Sequence, residues 1–243
     1  ELDRTEVPAG QYPRLKEEFP DQAISTPYAC SYDYVINLAD GKGNEALKDV
    51  RVRKALSYAI DRDVIVNNIL QGGQKPAYSW THWAMNGFTM PVIDYSGWTQ
   101  AERNEKAKAL LAEAGLADGF ETTITMGSAW PAMLSMAPII QANLAAVGIK
   151  AEIQTVEVPR YWDEVWGPAN FDMTAMYWLS PLADPDDFVG ANYSCGESIN
   201  AQKSCDAAMT DILLKAKTAV SQDERKALYR QQQELSLEQM PII

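Results

Sequence analysis

The cysteines are the residues whose type and spacing could most directly do chemistry in this chain. Cys195 and Cys205 are separated by nine residues in a polar stretch, SCGESINAQKSC, while Cys30 lies far upstream in a tyrosine-rich segment. This spacing matches no common metal-binding pattern of cysteines. From the residues alone, two interpretations stay open. Cys195 and Cys205 form a disulfide, which would require an oxidising compartment, or all three are small buried side chains of a cytosolic protein.

The single histidine, His82, limits the catalytic chemistry of the chain. A single histidine is too few for most histidine-based metal sites and catalytic pairs. The sequence also has no G-x-S-x-G, no H-E-x-x-H and no phosphate-binding glycine loop. The acidic run DPDD at 184–187 lacks the spaced oxygens and the final Glu of a calcium loop. We therefore predict that the protein is not an enzyme, has no metal and no cofactor, and uses His82 only as a loop residue.

Seven tryptophans and eleven tyrosines form a surplus of aromatic side chains in this chain. Such rings pack in cores, and they also contact apolar side chains, sugar rings and cationic groups of a ligand. Both interpretations stay open for each tryptophan. Tyr28, Tyr32 and Tyr34 lie at alternate positions of one predicted strand, so their side chains share one face of a sheet.

An alternation of strand and helix patterns must position these residues. Strands are predicted at 28–39, 120–126, 150–158 and 171–179, and helices at 44–60, 62–70, 101–114, 133–147, 160–166, 205–220 and 221–239. Asp61 is predicted to cap the second helix, which should end at Gly72 and Gly73. Residues 74–97 show no regular pattern, and no helix or strand is assigned from residue 180 through the cysteine loop. The alternation indicates an α/β fold with helices on both faces of a sheet.

The composition excludes several classes of protein. The chain has 243 residues, of which 47% are hydrophobic and 22% charged, as in ordinary globular domains. Its net charge of −12 argues against a basic surface for nucleic acid. No apolar run reaches the roughly 20 residues that cross a bilayer. The final residues, QMPII, predict the start of a strand, and we expect an excised piece of a larger protein.

Several segments form an ordered set of motifs along nearly the whole chain. The most specific is DVRVRKALSYAIDRDVIVNNILQGGQKPAYSWT, preceded by the tyrosine-rich YACSYDYVIN. Downstream follow KAKALLAEAGL, IIQANLAAVGI and FDMTAMYWLSPLADPDDF. Together these segments resemble the dipeptide- and oligopeptide-binding proteins that supply ABC importers. Relatives in this family also tend to carry a cysteine pair in the region of Cys195 and Cys205. The resemblance therefore favours a disulfide between these two, with Cys30 reduced.

The resemblance implies a periplasmic-binding-protein-like (type II) lobe, with a mixed sheet flanked by helices on both faces. We expect residues 1–243 to form a single incomplete lobe, the second of two, with no separate second domain. The implied function is the capture of peptides or related nitrogenous solutes between lobes that close about a hinge. The implied protein is a monomer, periplasmic or lipid-anchored outside the cytoplasm, and its partner is an ABC importer permease.

The resemblance also nominates residues for solute contact. In peptide-binding relatives, an Asp three residues after a strand Trp receives the peptide ammonium; here Trp178 is followed by Pro181, which has no charge. The nearest acid is Asp184, for which a role in a local turn is the alternative. The predicted solute-contacting residues are Tyr28, Trp130, Trp162, Trp166, Trp178 and Asp184.

Other functions stay open beside the peptide receptor. Pro181 and the surplus of tryptophans favour a family member that binds a non-peptide solute, such as an opine or an oligosaccharide. From outside the family, a stand-alone hydrolase and a structural interaction module are the remaining alternatives.

Overall fold

The sheet at the centre of the fold is mixed, as the sequence predicts. The structure is a computed structural model that describes residues 5–26, 28–82, 85, 91, 93–182 and 184–243. Its strands β1 (Cys30–Ile36), β2 (Phe120–Gly127), β3 (Ile149–Val156) and β4 (Met173–Leu179) are ordered β1-β4-β2-β3. β2 is parallel to both β3 and β4, while β1 is antiparallel to β4.

Helices flank this sheet. In chain order they are α1 (Tyr12–Glu18), α2 (Val50–Ala59), α3 (Arg62–Val64), α4 (Gln100–Glu113), α5 (Pro131–Ala145), α6 (Val158–Arg160), α7 (Pro185–Tyr193), α8 (Ala207–Thr218) and α9 (Gln222–Gln239). A π-helical turn over Ile65–Leu70 continues α3, and another over Tyr161–Trp166 continues α6. Short 3-10 turns cover Glu45–Lys48 and Asp94–Gly97.

Strand alternation divides the interior into two apolar cores. Tyr34 and Ile36 belong to one core, together with residues of α2, α4 and α5. Val35 belongs to the other, with residues of the π-helical turn over Tyr161–Trp166 and of α7, α8 and α9. Because neighbouring side chains of a strand point to opposite faces, helices cover both sides of the sheet, as predicted.

One helix prediction is confirmed and one helix is missing from the predictions. The helix capped by Asp61 covers residues 62–70 as predicted, and Asp61 Oδ1 accepts the Val64 N–H at 3.1 Å. Gln71, whose φ of 51° is left-handed, ends it directly before the glycine pair. The sequence interpretation assigns no helix between residue 180 and the cysteine loop, but α7 covers Pro185–Tyr193. Asp184 as N-cap and Pro185 at the first position are helix-start signals, which the sequence interpretation overlooked.

The last three residues pair with the free edge of β1. Tyr34 and Ile243 exchange two backbone hydrogen bonds of 2.8 and 3.0 Å, and the Ile36 N–H donates to Pro241 O at 3.1 Å. Val35 and Ile242 form an antiparallel bridge. The strand predicted from QMPII therefore starts in the structure.

The most specific sequence motif serves the fold. In α2, Val52 and Leu56 are fully buried in the first core, which explains their helical spacing. Arg53, between them, is also buried, and its guanidinium donates to the carbonyls of Leu47, Lys48 and Gln239 at 3.0, 2.7 and 2.8 Å. One side chain thus joins the start of α2 to the end of α9.

We expect Arg53→Gln to lower the free energy of unfolding by about 3 kcal/mol, because three backbone carbonyls lose a charged donor inside the protein. Arg51→Gln is the matched control: that side chain is 43% exposed and pairs with Asp49, so its loss should cost less than about 1 kcal/mol. Equilibrium unfolding in urea measures both. Equal losses would contradict the role given to Arg53.

Candidate functional site

Most of the residues nominated by the sequence lie along the edge of the sheet that is formed by the carboxyl ends of its parallel strands. The parallel strands β2, β3 and β4 end at Gly127, Val156 and Leu179 on this edge, and the antiparallel β1 begins there. The segments that follow the parallel strands carry Trp130, the π-helical turn with Trp162, and Asp184. In open α/β sheets, ligands bind at the carboxyl ends of the strands. This edge is therefore the candidate site.

Aromatic rings meet at this edge around Tyr161. Its ring centroid lies 4.7 Å from that of Trp130, 5.3 Å from that of Trp162 and 6.4 Å from that of Trp166. The contacts with Trp130 and Trp162 are edge-to-face, a geometry that stabilises aromatic packing, and the contact with Trp166 is tilted. The sequence interpretation missed Tyr161, although its position beside Trp162 was a usable signal. The aromatic cluster is defined as Tyr161, Trp130, Trp162 and Trp166 together with Tyr32 and Tyr177, which continue the ring contacts.

The outer rings of the aromatic cluster are open to solvent. Tyr177 lies 6.2 Å from Trp130 and 6.3 Å from Tyr32, its cross-strand partner, by ring centroids. Tyr32, Trp162 and Tyr177 are each 40% exposed, whereas Trp166 is buried. The cluster is thus anchored in the second core and presents an apolar rim at the edge of the sheet. The role of each ring in solute contact stays a prediction.

Gly127 makes room for the ring of Trp130. A Cβ atom at this last position of β2 would lie 2.8 Å from the Trp130 indole, closer than real Cβ contacts come. The absence of a side chain lets the indole pack across the end of β2. The placement of Trp130 therefore depends on a residue that shows no such role in the sequence.

Trp178 and Asp184 are engaged in contacts within the fold. The half-buried Trp178 donates its indole N–H to Asp187 O at 2.8 Å. The Asp184 carboxylate accepts the Asp186 N–H at 2.9 Å as N-cap of α7, and both its oxygens accept from the Arg225 guanidinium at 2.8 Å. Hydrogen bonding by Arg225 lowers the pKa of Asp184, against a smaller opposing effect of burial. Asp184 as a solute contact stays a prediction.

A cavity of about 750 Å³ lies alongside β1. Its volume is in the usual range of small-molecule sites. Tyr28, one of the nominated residues, lines it and is 67% exposed. The other walls include the loop over residues 72–82, most of which belongs to the family motif, and two segments that were not nominated as solute contacts, which are Met133 and Met136 of α5 and the end of α9.

The cysteine prediction is confirmed. Cys195 and Cys205 form a disulfide, with the sulfurs 2.10 Å apart, that links the end of α7 to the start of α8. Cys30 is not disulfide-bonded and is half-buried. Burial, helped by the Asp33 charge, raises the pKa of the Cys30 thiol to about 11, so that it stays protonated near neutral pH.

Two kinds of feature are missing from the part of the chain that the structure describes. No three His, Cys, Asp or Glu side chains there lie close enough together to hold a metal ion. Nor does any of the described helices have both the length and the apolar character to cross a membrane.

Comparisons with known proteins agree with the fold. Residues 1–200 match the family described as bacterial extracellular solute-binding proteins, family 5 Middle. The periplasmic oligopeptide-binding protein OppA of Escherichia coli is 30% identical over 233 residues, which are 94% of this chain and 42% of OppA. The Escherichia coli dipeptide-binding protein is 33% identical over 204 residues, 81% of this chain and 37% of that protein.

A solved structure supports the same conclusion. The murein tripeptide binding protein MppA of Escherichia coli superimposes with a TM-score of 0.89 at 27% identity, over 97% of this chain and 46% of that one. Together with the mixed sheet, this confirms the predicted type II fold. The chain spans less than half the length of each of these three proteins.

We expect Asp184→Ala to lower the free energy of unfolding by about 1–2 kcal/mol, because it removes both the N-cap and the ion pair. Asp184→Asn keeps a capping oxygen and should cost less than about 1 kcal/mol. Since the folded protein depresses this pKa, the advantage of the wild type over Asp184→Asn is present above about pH 4 and disappears as pH falls through the folded-state pKa. Urea unfolding across pH measures it; a difference that grows in acid would contradict the ion pair.

Proposed function

The chain belongs to family 5 of the bacterial extracellular solute-binding proteins, and on that premise we propose that it forms the solute-contacting lobe of a receptor for peptides or related nitrogenous solutes. The observation that carries this proposal is the position of the aromatic cluster. Its exposed rim lies where three parallel strands end, the edge at which such sheets bind ligands. The names of the oligopeptide-, dipeptide- and murein tripeptide-binding relatives support the peptide class.

In this proposal, residues 1–243 are a single lobe without a separate second domain, and the rest of the full-length protein covers the solute. Tyr28, Tyr32, Trp162 and Tyr177 are large side chains left open to solvent. A group of exposed aromatic rings usually marks a binding surface. Closure of a second lobe over them would exclude water and strengthen the polar contacts of the solute.

The proposed protein binds its solute and does not transform it. The family consists of binding proteins, and we propose that an ABC importer permease accepts the solute from the closed, monomeric receptor. A periplasmic or lipid-anchored location outside the cytoplasm is supported by the periplasmic relatives. The disulfide between Cys195 and Cys205 also favours it, because such bonds persist in oxidising compartments.

A non-peptide solute such as an opine or an oligosaccharide is the second candidate. The observation that favours it is the bidentate contact of Asp184 with Arg225. Asp184 is the acid nearest to Pro181 along the downstream sequence, and its charge is already balanced within the fold. Aromatic rings bind sugar rings and peptide side chains equally well, so the aromatic cluster suits both candidates.

Calorimetry on the full-length protein with a panel of dipeptides and tripeptides tests the peptide class. We expect binding, and Trp162→Ala should weaken it about tenfold because an exposed stacking surface is lost. Phe19→Ala is the control, since Phe19 is an exposed ring outside the aromatic cluster and its loss should leave affinity unchanged. Binding of opines or oligosaccharides with no response to peptides would favour the second candidate.

The lobe proposal makes a separate prediction. The 243-residue chain alone should bind any solute of the full-length protein at least about a hundredfold more weakly, because contacts from the covering lobe and the exclusion of water are both missing. Calorimetry on the two proteins side by side measures this. Equal affinities would show that the site is complete within these residues.

A further inference from the structure

Asp33 is a buried acid that has no partner among the described residues. It lies in the middle of β1, opposite Met176 of β4, and is only 4% exposed. Neither of its carboxylate oxygens has a hydrogen-bond partner among the described residues. An ionised carboxylate left unpaired inside a protein costs several kcal/mol, so such groups are normally paired with a cation or with hydrogen-bond donors. The fold therefore leaves room for a cation or a hydrogen-bond donor beside the Asp33 carboxylate.

The cavity alongside β1 reaches this acid. Asp33 lines it, and so does Thr81, which is buried and whose hydroxyl group also lacks a partner in the described part of the chain. Two residues with unused hydrogen-bonding capacity thus line one cavity. Since native proteins pair nearly all buried polar atoms, their coincidence here points to a bound polar group.

Among the described residues, no basic side chain of the cavity pairs with its acid. Asp33 is the only acidic residue of the described lining, which also includes the basic Arg62, Lys75 and His82. None of the three hydrogen-bonds Asp33, and no positive charge lowers the pKa of this carboxyl group. The Arg62 guanidinium instead donates to Ser57 O at 2.7 Å and lies 5.0 Å from the Tyr78 ring centroid. The rings of Trp80 and Tyr193, which also line the cavity, add faces that attract cations.

The titration of Asp33 agrees with a missing cation. Burial raises its pKa well above the ordinary value, with no opposing contribution from a positive charge. The titratable groups that its charge affects are Cys30 and Tyr34 on β1, Tyr161 at the start of its π-helical turn, and Tyr193 in α7; the pKa of each is raised, mainly by burial. A cation bound beside the carboxylate would reverse the shift of Asp33.

We propose that this cavity binds an ammonium or guanidinium group of the solute against the Asp33 carboxylate, with the hydroxyl oxygen of Thr81 accepting a further N–H bond. The inference rests on the proposed function, because it names the chemistry of the solute that the receptor captures. A metal ion fits less well, since a single carboxylate offers too few charged ligands. The binding energy comes from a charge-assisted contact shielded from water.

The first experiment compares two tripeptides on the full-length protein by calorimetry. Ala-Lys-Ala and Ala-norleucine-Ala differ in one ammonium group. The wild type should prefer the lysine peptide about tenfold or more, and Asp33→Asn should reduce this preference to near one without weakening the norleucine peptide. Asp211→Asn, which removes one exposed charge from α8, should keep the preference. Two outcomes would overturn the inference while the proposed function stands, provided that both peptides bind. In one, the wild type shows no preference for the lysine peptide. In the other, Asp33→Asn keeps the preference of the wild type.

The second experiment needs neither a folded variant nor a peptide. Carboxyl carbon NMR of the solute-free full-length protein should show Asp33 titrating above the ordinary range of aspartate. Addition of n-butylammonium, but not of the neutral n-butanol, should shift the Asp33 resonance and lower its pKa. An Asp33 pKa already below the ordinary range would mean that a cation from the rest of the protein occupies the cavity, which overturns the inference. A response to n-butylammonium without any peptide binding would keep the cation site and reject the peptide function.

Discussion

The common direction of β2, β3 and β4 is the constraint on which the candidate site depends. Parallel strands must be joined by a crossover that returns the chain to the starting edge, so the segment after each strand emerges on one side. Trp130 and Tyr161 come from two such segments, Tyr177 comes from the last residues of β4, and their rings meet at that edge. The aromatic cluster is therefore a consequence of sheet topology, completed by Tyr32 from the antiparallel β1.

Three charged side chains differ in how their charge is compensated within the fold. The buried Arg53 is satisfied by three backbone carbonyls and holds distant helices together. Asp184 is balanced by Arg225 and by the start of α7. Asp33 alone of the three has no partner in the described residues and faces a cavity. Because unpaired buried charge is costly, an acid left in this state indicates binding, whereas the two satisfied groups indicate structure.

The motif that identifies the family, residues 49–81, serves both the packing of the fold and the wall of the cavity. Val52, Arg53 and Leu56, in its first part, are buried in α2 and maintain packing. Its last part, the loop over residues 72–81, lines the cavity together with the start of β1, α5 and the end of α9. The match to the family therefore carries the fold, while Asp33 and the aromatic rim are the residues proposed to select the solute.

Local sequence patterns determined the four strands and most helices, since spacing and caps act within a few residues. The cysteine pairing and the nomination of Trp130 and Trp162 needed the family resemblance as well. Only the tertiary structure decided that Asp184 pairs with Arg225, that Tyr161 centres the aromatic cluster, and that Asp33 lines a cavity with no partner among the described residues. These facts depend on which distant segments pack together. A side chain's burial and partners are set by that packing, and its neighbours in the sequence do not reveal them.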